Sequence, residues 1–371
     1  MLCEIKIDGA ALRNNFSAFQ KLAQGCEIAP VLKANAYGHG ISQTFQAIRE
    51  LKPKWLCVNY TDEASELRAL GYKERILVVG PCVARQLEIA ANMACDVTIG
   101  NFTVLAEWVK MPKPPMAHLK FDTGMGRQGF LPSHMAEVRQ AISGREEHIA
   151  GISTHFANVE DVTEYEYAKN QLQRFERVRE AFKDLGEQLL FHAASSASML
   201  LLANSHFNLG RVGISLYGFW PSQATRISYF QMHDEVLDLK PALSWKTEIT
   251  SIKEVAKGEF IGYGCTYRTN QKMKIAVIPV GYFEGYPRIA GEHQSYVLID
   301  SQRCPLVGRI CMNMFMVDIS HLESSRVGDI VTLIGKDGSE EISAEQLAQW
   351  SQTIHYELVS RLHQDITRTL V

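Results

Sequence analysis

Short apolar runs alternate with longer segments of helical periodicity between residues 28 and 210, and this alternation constrains the fold more than any other feature. Apolar runs bounded by turn residues are typical of buried parallel strands, and the segments between them supply crossover helices. Eight strands in this pattern predict a (β/α)8 TIM barrel. An open doubly wound sheet is the alternative, but no Gly-x-Gly-x-x-Gly follows the first strand. The eight runs are 28–33, 55–59, 76–80, 95–99, 117–121, 149–154, 189–194 and 207–210.

Further elements are predicted beside these strands. The clearest helix covers 164–185, where apolar residues recur at spacings of three and four and Gly186 follows as a helix stop. Near the N-terminus, residues 4–7 predict a short lead-in strand, and Asp8 can cap the helix that follows it.

The pattern changes after about residue 230, where strand-like runs are separated by turn residues and few helical segments remain. A final helix is predicted to start near Ser343. The sequence therefore predicts a barrel domain over 1–234 and a smaller, mainly β domain over 235–371. The strand-like runs of the second domain are 246–255, 259–262, 274–280, 295–300, 305–310, 314–319 and 329–334.

Composition excludes several classes of function. The net charge of -3 and the lack of a block of like charges give no indication of a nucleic-acid partner. The eight cysteines are scattered without a Cys-x-x-Cys pair, which favours reduced thiols in a cytoplasmic protein. The charged residues near the N-terminus and the lack of a long apolar stretch argue against secretion and membrane insertion.

One lysine stands at the end of the first barrel run. The apolar residues that begin near Ile28 end on Lys33, and a Tyr-Gly-His-Gly turn follows over 37–40. The C-terminal ends of barrel strands are where barrel enzymes keep their chemistry. An ammonium there is costly unless its charge is removed or used, and a Schiff base with an aldehyde cofactor is one such use. A lysine that buries its stem and extends its charge to water is the alternative.

Polar residues also follow later strands. Arg127 lies in a loop with two glycines after the fifth strand, and its planar guanidinium suits a carboxylate, although a surface arginine would fit the same loop. His155 follows the sixth strand, where a lone histidine is more often structural than catalytic. Ser196 and the start of the next helix could cradle a phosphate, and a serine-rich helix cap would look the same. Tyr263 lies between two glycines and on its own indicates a turn.

Together these segments resemble the motifs of alanine racemases, in the same order along almost the whole chain. The segment 31–40 resembles the attachment motif for pyridoxal 5'-phosphate (PLP). The resemblance implies a PLP-dependent isomerase that interconverts L-alanine and D-alanine and supplies D-alanine for peptidoglycan. The other segments that resemble the family lie at 120–127, 153–157, 191–198, 211–218, 262–267, 281–288 and 307–313.

The resemblance also implies a role for each matching residue. Lys33 would hold the cofactor and act as acid and base for D-alanine, and Tyr263 would serve L-alanine from the opposite face. Arg127 and Met312 would bind the substrate carboxylate, with Lys120 (often carbamylated in the family) and Tyr282 in support. The remaining cofactor-binding residues implied by the resemblance are Tyr37, His155, Ser196, Arg211, Gly213, Ile214 and Tyr356.

Two of these implied roles have a physical basis in residue chemistry. A tyrosine with its usual pKa of ~10 is a poor base at neutral pH, so Tyr263 needs cationic or hydrogen-bonding neighbours, which His155, Arg127 and Arg211 would provide. In the family the first residue of the 211–218 motif pairs with the pyridine nitrogen. An arginine there does not give up its proton readily and so weakens the electron sink, which suits a racemase. A carboxylate would favour decarboxylation or transamination.

In the family the tyrosine enters the site from the partner subunit. The resemblance therefore implies a head-to-tail homodimer, in which Tyr263 and Met312 enter the partner's site. The substrate would be a small amino acid, with neither nucleic acid nor membrane as a partner.

The chain departs from the family motifs at several positions. Ser195 replaces an Asn, Glu284 and Asn313 each replace an Asp, and 365–368 replaces an Arg-Val-Pro-Arg tail. A serine or broad-spectrum amino-acid racemase would use the same parts and stays open as an alternative. A PLP decarboxylase would need an acidic residue where Arg211 stands, and a non-catalytic PLP-binding barrel would lack the β domain.

Overall fold

A computed structural model of the chain describes residues 1–23, 25–160, 165–234, 236–292 and 295–371. The chain forms two compact units, and neither is one continuous stretch. The β unit contains Met1–Gly9, Tyr37–Gln43 and Ala242–Val371, and the barrel unit contains Ala10–Ala36 and Thr44–Pro241. The first strand, β1 (Cys3–Ile7), therefore belongs with the C-terminal half of the chain rather than with the barrel that follows it in sequence.

The barrel unit contains eight parallel strands, one for each predicted run. The last of the eight ends at Val212, two residues beyond its predicted run, and the other seven lie within or next to their runs. These strands are β2 (Glu27–Pro30), β3 (Trp55–Val58), β4 (Arg75–Val78), β5 (Asp96–Ile99), β6 (Ala117–Lys120), β7 (Ile149–Ser153), β8 (Leu190–His192) and β9 (Leu209–Val212).

The eight strands close into a ring. Strands β3 to β8 pair in sequence order, and β2 pairs in parallel with β9. Val31 continues β2 into a parallel bridge with Cys57 of β3. On the other side, the backbone N–H of Arg211 donates to the carbonyl of Ala194 at 3.0 Å, which joins β9 to the chain leaving β8. The predicted TIM-barrel class is confirmed, and the open doubly wound sheet is excluded because the ring has no free edge.

The predicted helix over 164–185 is confirmed as Tyr165–Phe182 followed by a 3-10 turn, Lys183–Leu185; residue 164 lies outside the described residues. Its buried face packs on the barrel, with the rings of Phe182 and Phe121 5.3 Å apart. The other α-helices before residue 241 are Gly9–Leu22, Ile41–Ile48, Thr61–Ala69, Ala84–Asn92, Phe102–Lys110, Met135–Ala141, Ser196–Leu201 and Gln223–Met232. The other 3-10 turns there are Arg49–Leu51, Pro132–His134, Glu146–His148, Ala203–Ser205 and Ile214–Tyr217.

The β unit is built on one large sheet in which β1 pairs antiparallel with β10 and parallel with β20. The order of the sheet is β11-β14-β17-β16-β15-β18-β10-β1-β20, with β19 beside β18, and β12 and β13 form a separate hairpin. The predicted mainly β C-terminal region is confirmed. Its strands are β10 (Leu243–Glu248), β11 (Ser251–Val255), β12 (Phe260–Ile261), β13 (Tyr267–Arg268), β14 (Met273–Ile278), β15 (Tyr296–Ile299), β16 (Gln302–Val307), β17 (Phe315–Asp318), β18 (Ile330–Asp337), β19 (Glu340–Ile342) and β20 (Thr367–Leu370).

Short helices complete the β unit. The predicted helix start is confirmed, because the Ser343 hydroxyl accepts the backbone N–H of Gln346 at 3.1 Å at the start of helix Ala344–Trp350. A second helix, His355–Ser360, follows, and 3-10 turns lie at Tyr263–Cys265 and Arg288–Glu292.

Arg368 explains why the segment 37–43 belongs to the β unit. Its guanidinium Nε donates to the carbonyl of Gly38 at 2.7 Å, and Gln43 donates in turn to the carbonyl of Arg368 at 3.0 Å. Nη1 of the same side chain donates to the carbonyls of Gln364 and Ile366, each at 2.9 Å. Arg368 belongs to 365–368, the segment that replaces the family's Arg-Val-Pro-Arg tail. Its hydrogen bonds therefore fix the chain just after the turn that follows Lys33.

In the ranges that the structure describes, no helix is both long enough and apolar enough to cross a membrane.

Candidate active site

The barrel brings six of the predicted site residues to the C-terminal ends of its strands. Each lies in the last residues of a strand or in the loop or helix that follows it. They are Lys33 after β2, Lys120 at the end of β6, Arg127 in the next loop, His155 after β7, Ser196 after β8 and Arg211 in β9.

Lys33 is followed by an unusual backbone turn. Ala34, Asn35, Ala36 and Tyr37 all have positive φ, between 52° and 55°. A left-handed conformation costs a residue with a side chain roughly 1–2 kcal/mol, so four in succession form a strained segment. Hydrogen bonds that hold it include one from the N–H of Ala34 to Glu63 Oε1 at 2.6 Å and one from the N–H of Ala36 to the carbonyl of Leu32 at 2.8 Å.

The environment of Lys33 favours its neutral amine. Burial lowers the pKa of Lys33, Arg127 and Arg211 lower it further, and Glu63 acts in the opposite direction. The Glu63 carboxylate also accepts the backbone N–H groups of Asn59 and Tyr60 at 2.7 and 3.2 Å. A lysine with a lowered pKa is a better nucleophile and base near neutral pH than an exposed one.

Asp122 folds the loop that carries Arg127. Its carboxylate accepts four successive backbone N–H groups, from residues 124, 125, 126 and 127, at 2.7 to 3.1 Å. Burial alone would raise the pKa of Asp122, but these hydrogen bonds outweigh it and lower the pKa. The loop is also held from outside, because Tyr167 Oη donates to the carbonyl of Gly124 at 2.6 Å.

Lys120 lies among like charges. Burial, together with Arg211 and Arg127, lowers the pKa of Lys120 to about 7. Its side-chain nitrogen donates to Gln128 Oε1 at 3.2 Å. Gln128 is the residue next to Arg127 in the loop. Near neutral pH a large share of this amine is therefore uncharged.

His155 is held neutral by its surroundings. Burial, followed by the charges of Arg211, Lys120, Arg127 and Lys33, lowers its pKa well below the usual value for histidine. A neutral imidazole offers one donor and one acceptor, so it can pass a hydrogen bond between two partners.

Arg211 is partly buried, and its guanidinium donates to neutral acceptors. Nη2 donates to the carbonyls of Thr154 and Ala193 at 2.9 and 3.1 Å, and Nη1 donates to His192 Nδ1. Burial lowers the pKa of Arg211 to about 10, which still leaves it a cation at neutral pH.

Ser196 meets the chain that leaves β9. Its buried hydroxyl accepts the backbone N–H groups of Gly213 and Ser215 at 3.0 and 3.4 Å. The hydroxyl of Ser215 is buried without a hydrogen-bond partner. Ile214 begins the 3-10 turn between them. A hydroxyl, successive backbone N–H groups and a second buried hydroxyl together form a donor set that suits a phosphate.

The remaining predicted residues belong to the β unit. Tyr37 and Tyr356 lie against each other with ring centroids 6.4 Å apart. Tyr263, Tyr282 and Met312 are exposed, with 72%, 44% and 55% of their surfaces open. The roles inferred for all these residues from the sequence stay predictions.

Glu284 and Asn313, two of the departures from the family motifs, bind each other. The Asn313 amide donates to Glu284 Oε1 at 2.8 Å, and the backbone N–H of Gly281 donates to Glu284 Oε2 at 2.8 Å. The backbone N–H of Phe283 donates to the carbonyl of Met312 at 2.9 Å. These bonds join the loop of Tyr282 to the loop of Met312, so the two replacements form one contact and are not separate changes.

Several polar residues of this region were missed from the sequence. Glu63 stands in the first turn of a helix, where its acidic character is ordinary, and Asp122 resembles a loop residue. His192 was part of a recognised segment but received no role, and His118 and Asp96 lie inside strands. A polar residue within an apolar strand is the signal that would have indicated the last two, because buried polar groups need partners.

The charges at this end of the barrel do not balance. Among the described residues, Lys33, Lys120, Arg127 and Arg211 act on one another as cations, whereas Glu63 and Asp122 are the carboxylates that oppose them. Both carboxylates already bind backbone N–H groups. Within the same residues, no group of three or more His, Cys, Asp or Glu could hold a metal ion. The arrangement suits an anionic organic ligand, and PLP, with its phosphate and aldehyde, fits these residues.

Comparisons with known proteins agree with this geometry. The family model described as alanine racemase, N-terminal domain, matches residues 7–221, and the one described as alanine racemase, C-terminal domain, matches 242–370. An alanine racemase of Leptospira interrogans serogroup Icterohaemorrhagiae serovar copenhageni is 37% identical over 384 residues, which cover 99% of this chain and 95% of that protein. An alanine racemase of Methylacidiphilum infernorum is 36% identical over 371 residues, covering 98% and 91%.

Solved structures give the same picture. The crystal structure of alanine racemase from Bacillus anthracis with bound L-Ala-P matches with a TM-score of 0.91 at 32% identity, covering 100% of this chain and 95% of that one. Alanine racemase from E. faecalis matches with a TM-score of 0.89 at 32% identity, covering 100% and 98%. The similarity spans the whole chain.

The Glu284 contact gives a testable prediction. In Glu284→Met both acceptor oxygens are lost at nearly constant volume, so the buried N–H of Gly281 loses this partner. Leaving a buried donor unpaired costs about 1–3 kcal/mol, so we expect a lower urea midpoint of unfolding. Glu323→Met, at an exposed glutamate, is the matched control and should leave the midpoint unchanged. Equal midpoints for both variants would contradict the assigned contact.

Proposed function

Since this chain belongs to the alanine racemase family, we propose that it interconverts L-alanine and D-alanine with PLP as cofactor. The observation that carries the proposal is the set of basic side chains around Lys33 at the C-terminal end of the barrel, of which Lys120 and Arg211 are partly buried and Arg127 is exposed. These charges suit a ligand with a phosphate and a substrate with a carboxylate.

The residues that would hold PLP are those at the C-terminal ends of the barrel strands, together with Tyr37 and Tyr356. Lys33 would bind its aldehyde carbon, Arg211 its ring nitrogen, and Ser196 with the backbone of Gly213 and Ile214 its phosphate. When bound, PLP withdraws electrons from the substrate and makes its Cα–H acidic. His155, Tyr37 and Tyr356 would complete the cofactor site.

Racemisation needs one acid/base group on each face of Cα. Lys33, whose lowered pKa favours the neutral amine, would exchange a proton with the face used by D-alanine. Tyr263 would exchange a proton with the opposite face, used by L-alanine. The neutral imidazole of His155 would carry a hydrogen bond from the tyrosine toward Arg211.

The substrate carboxylate would be held by Arg127 and by the backbone N–H of Met312. The four hydrogen bonds to Asp122 support this role for Arg127, because they fix the backbone that carries it. A pKa of about 7 supports the proposal that Lys120 is carbamylated, since only the neutral amine reacts with carbon dioxide. The carbamate would be an anion able to bind Arg127.

We further propose a head-to-tail homodimer. Tyr263 and Met312 are 72% and 55% exposed in one chain, which is unusual for groups that act on a substrate and supports their entry into the partner's site. Tyr282 would line the entrance beside them. Residues 1–234 would supply most of the cofactor site, and residues 235–371 would supply Tyr356 and these groups. The enzyme would work in the cytoplasm and supply D-alanine for peptidoglycan.

The first test is an assay of the purified protein with PLP on L-alanine and L-serine, followed by loss of optical activity. We expect turnover of L-alanine and little turnover of L-serine. Comparable or faster turnover of L-serine would replace alanine by a broader substrate class. Racemisation of neither amino acid would overturn the proposal.

Replacement of Lys33 by alanine tests cofactor attachment. Lys33→Ala should abolish the visible absorbance that PLP acquires on binding the lysine, and racemisation should fall by about 100-fold or more. Lys54→Ala, at an exposed lysine, is the control and should keep both. Survival of absorbance and activity in Lys33→Ala would show that another lysine holds the cofactor.

Replacement of Tyr263 by phenylalanine tests the second face. Tyr263→Phe keeps the ring and removes the exchangeable proton, so kcat should fall by about 100- to 10,000-fold while the PLP absorbance persists. The exposed Tyr60 offers a matched control, and Tyr60→Phe should change neither quantity. Full activity of Tyr263→Phe would mean that another group serves the face used by L-alanine.

A further inference from the structure

Hydrogen-bonded side chains form a continuous line through the interior of the barrel. Arg211 Nη1 donates to His192 Nδ1, and His192 Nε2 lies 2.7 Å from His118 Nδ1. His118 Nε2 lies 3.0 Å from Asp96 Oδ2, to which Arg75 Nη2 also donates at 2.5 Å. The line therefore joins the arginine at the proposed cofactor site to a carboxylate.

The line runs from one end of the barrel to the other. Arg75 and Asp96 are the first residues of β4 and β5, His118 is the second residue of β6, and His192 is the last residue of β8. The C-terminal ends of parallel strands lie at the active-site end. Asp96 is consequently at the far end of the barrel from Arg211.

The two imidazoles occupy a tightly fitted place. His118 and His192 have 0% and 2% of their surfaces exposed, and their ring centroids are 4.9 Å apart. A Cβ atom on Gly151 of β7 would lie 2.3 Å from His118 Nδ1, so only glycine leaves room for the ring at this position. Trp55 packs edge-on against His118 with centroids 5.5 Å apart. These contacts fix the rings in the positions that the hydrogen bonds require.

The groups at the two ends of the line determine which atom donates and which accepts in every hydrogen bond between them. A guanidinium can only donate, so His192 Nδ1 must accept. Burial lowers the pKa of both histidines, so each ring is neutral and carries one proton. His192 therefore carries its proton on Nε2 and donates to His118, and His118 in turn donates from Nε2 to Asp96. All donors point away from Arg211 and toward the carboxylate.

We propose that Asp96, His118 and His192 are positioning residues that hold Arg211 in its cationic form through this directed chain, and so keep the cofactor ring nitrogen unprotonated. The inference rests on the proposed function, because it requires PLP at Arg211. The negative charge of Asp96 polarises each imidazole in turn and makes His192 a stronger acceptor. Arg211 consequently gives up its proton less readily than it would with the neutral carbonyls of Thr154 and Ala193 alone.

The proton positions can be measured in the protein that keeps both histidines. The full-length protein labelled with 15N-histidine is examined by two-bond 1H–15N correlation spectra, both with and without PLP, and single His→Gln variants at 118 and 192 assign the two rings. We expect both rings to be neutral and protonated on Nε2. A proton on Nδ1 of either ring, or two protons on one ring, would overturn the proposal.

The second test compares two variants that both break the Arg75–Asp96 ion pair. Asp96→Asn removes the charged end of the chain, whereas Arg75→Met leaves the chain intact. The readout is slow transamination, in which alanine and PLP give pyruvate and pyridoxamine 5'-phosphate. The aldehyde carbon of the cofactor gains the amino group and a proton in exchange for the Cα proton and is reduced by two electrons; alanine is oxidised by the same two electrons, and water carries the oxygen from the aldehyde to the ketone. The quantity measured is pyruvate formed per alanine racemised.

We expect Asp96→Asn to raise this ratio by about threefold or more, because a small change in the proton affinity of Arg211 changes the proton-transfer equilibrium exponentially. Arg75→Met should stay within about twofold of the unmodified protein. An unchanged ratio in Asp96→Asn, or equal increases in both variants, would overturn the proposal. If Asp96→Asn does not fold, the proton positions measured on His118 and His192 decide between keeping and rejecting the proposal. An unmodified protein that does not racemise alanine refutes the proposed function, whereas Nδ1 protonation in an active enzyme refutes only the chain.

Discussion

A concentration of partly buried basic groups is the constraint on which the rest of the barrel mouth depends. Lys33, Lys120 and Arg211 are partly removed from water together, and a cation in such a place is stable only with hydrogen-bond acceptors or a counter-charge. For Arg211 the acceptors are two backbone carbonyls and an imidazole. The two lysines respond differently, because burial lowers the pKa of each and favours the uncharged amine. Only the neutral amine reacts with a carbonyl carbon. The burial that makes the charged form of these lysines costly therefore also favours their reactive form.

The carboxylates near these basic groups mainly accept hydrogen bonds from backbone N–H groups. Asp122 binds four N–H groups of one loop, and Glu63 binds two N–H groups just before its own helix and one in the turn after Lys33. An anion with this many N–H donors is well stabilised in place. The left-handed conformation of residues 34–37 persists because Glu63 and the carbonyl of Leu32 bind its N–H groups. The same side chain, Glu63, therefore stabilises the strained backbone after Lys33 and acts on the charge of Lys33.

The sequence predicted the barrel strands well because each is a short apolar run, and burial inside a parallel ring leaves few alternatives for such a run. Strand β1 was also predicted, but its partners were not, because periodicity does not indicate which strand pairs with which. The same limit applies to the site. Lys33 and Arg211 stand in recognisable segments, whereas the links through Glu63, His118 and Asp96 arise only when separate strands and helices are brought together. The contact between Glu284 and Asn313 is another example, since the two positions were judged separately in the sequence.

The discontinuous course of the chain has a consequence for how the protein can be divided. The chain passes between the two units after Gly9, Ala36, Gln43 and Pro241. A gene fragment that stops at residue 241 would encode all eight barrel strands, yet it would leave β1 without β10 and β20 and Gly38 without Arg368. The complementary fragment would lack β1, the strand between β10 and β20. Neither half is thus a module that could be moved into another protein by a single cut, and recombination within the family would have to exchange both parts together.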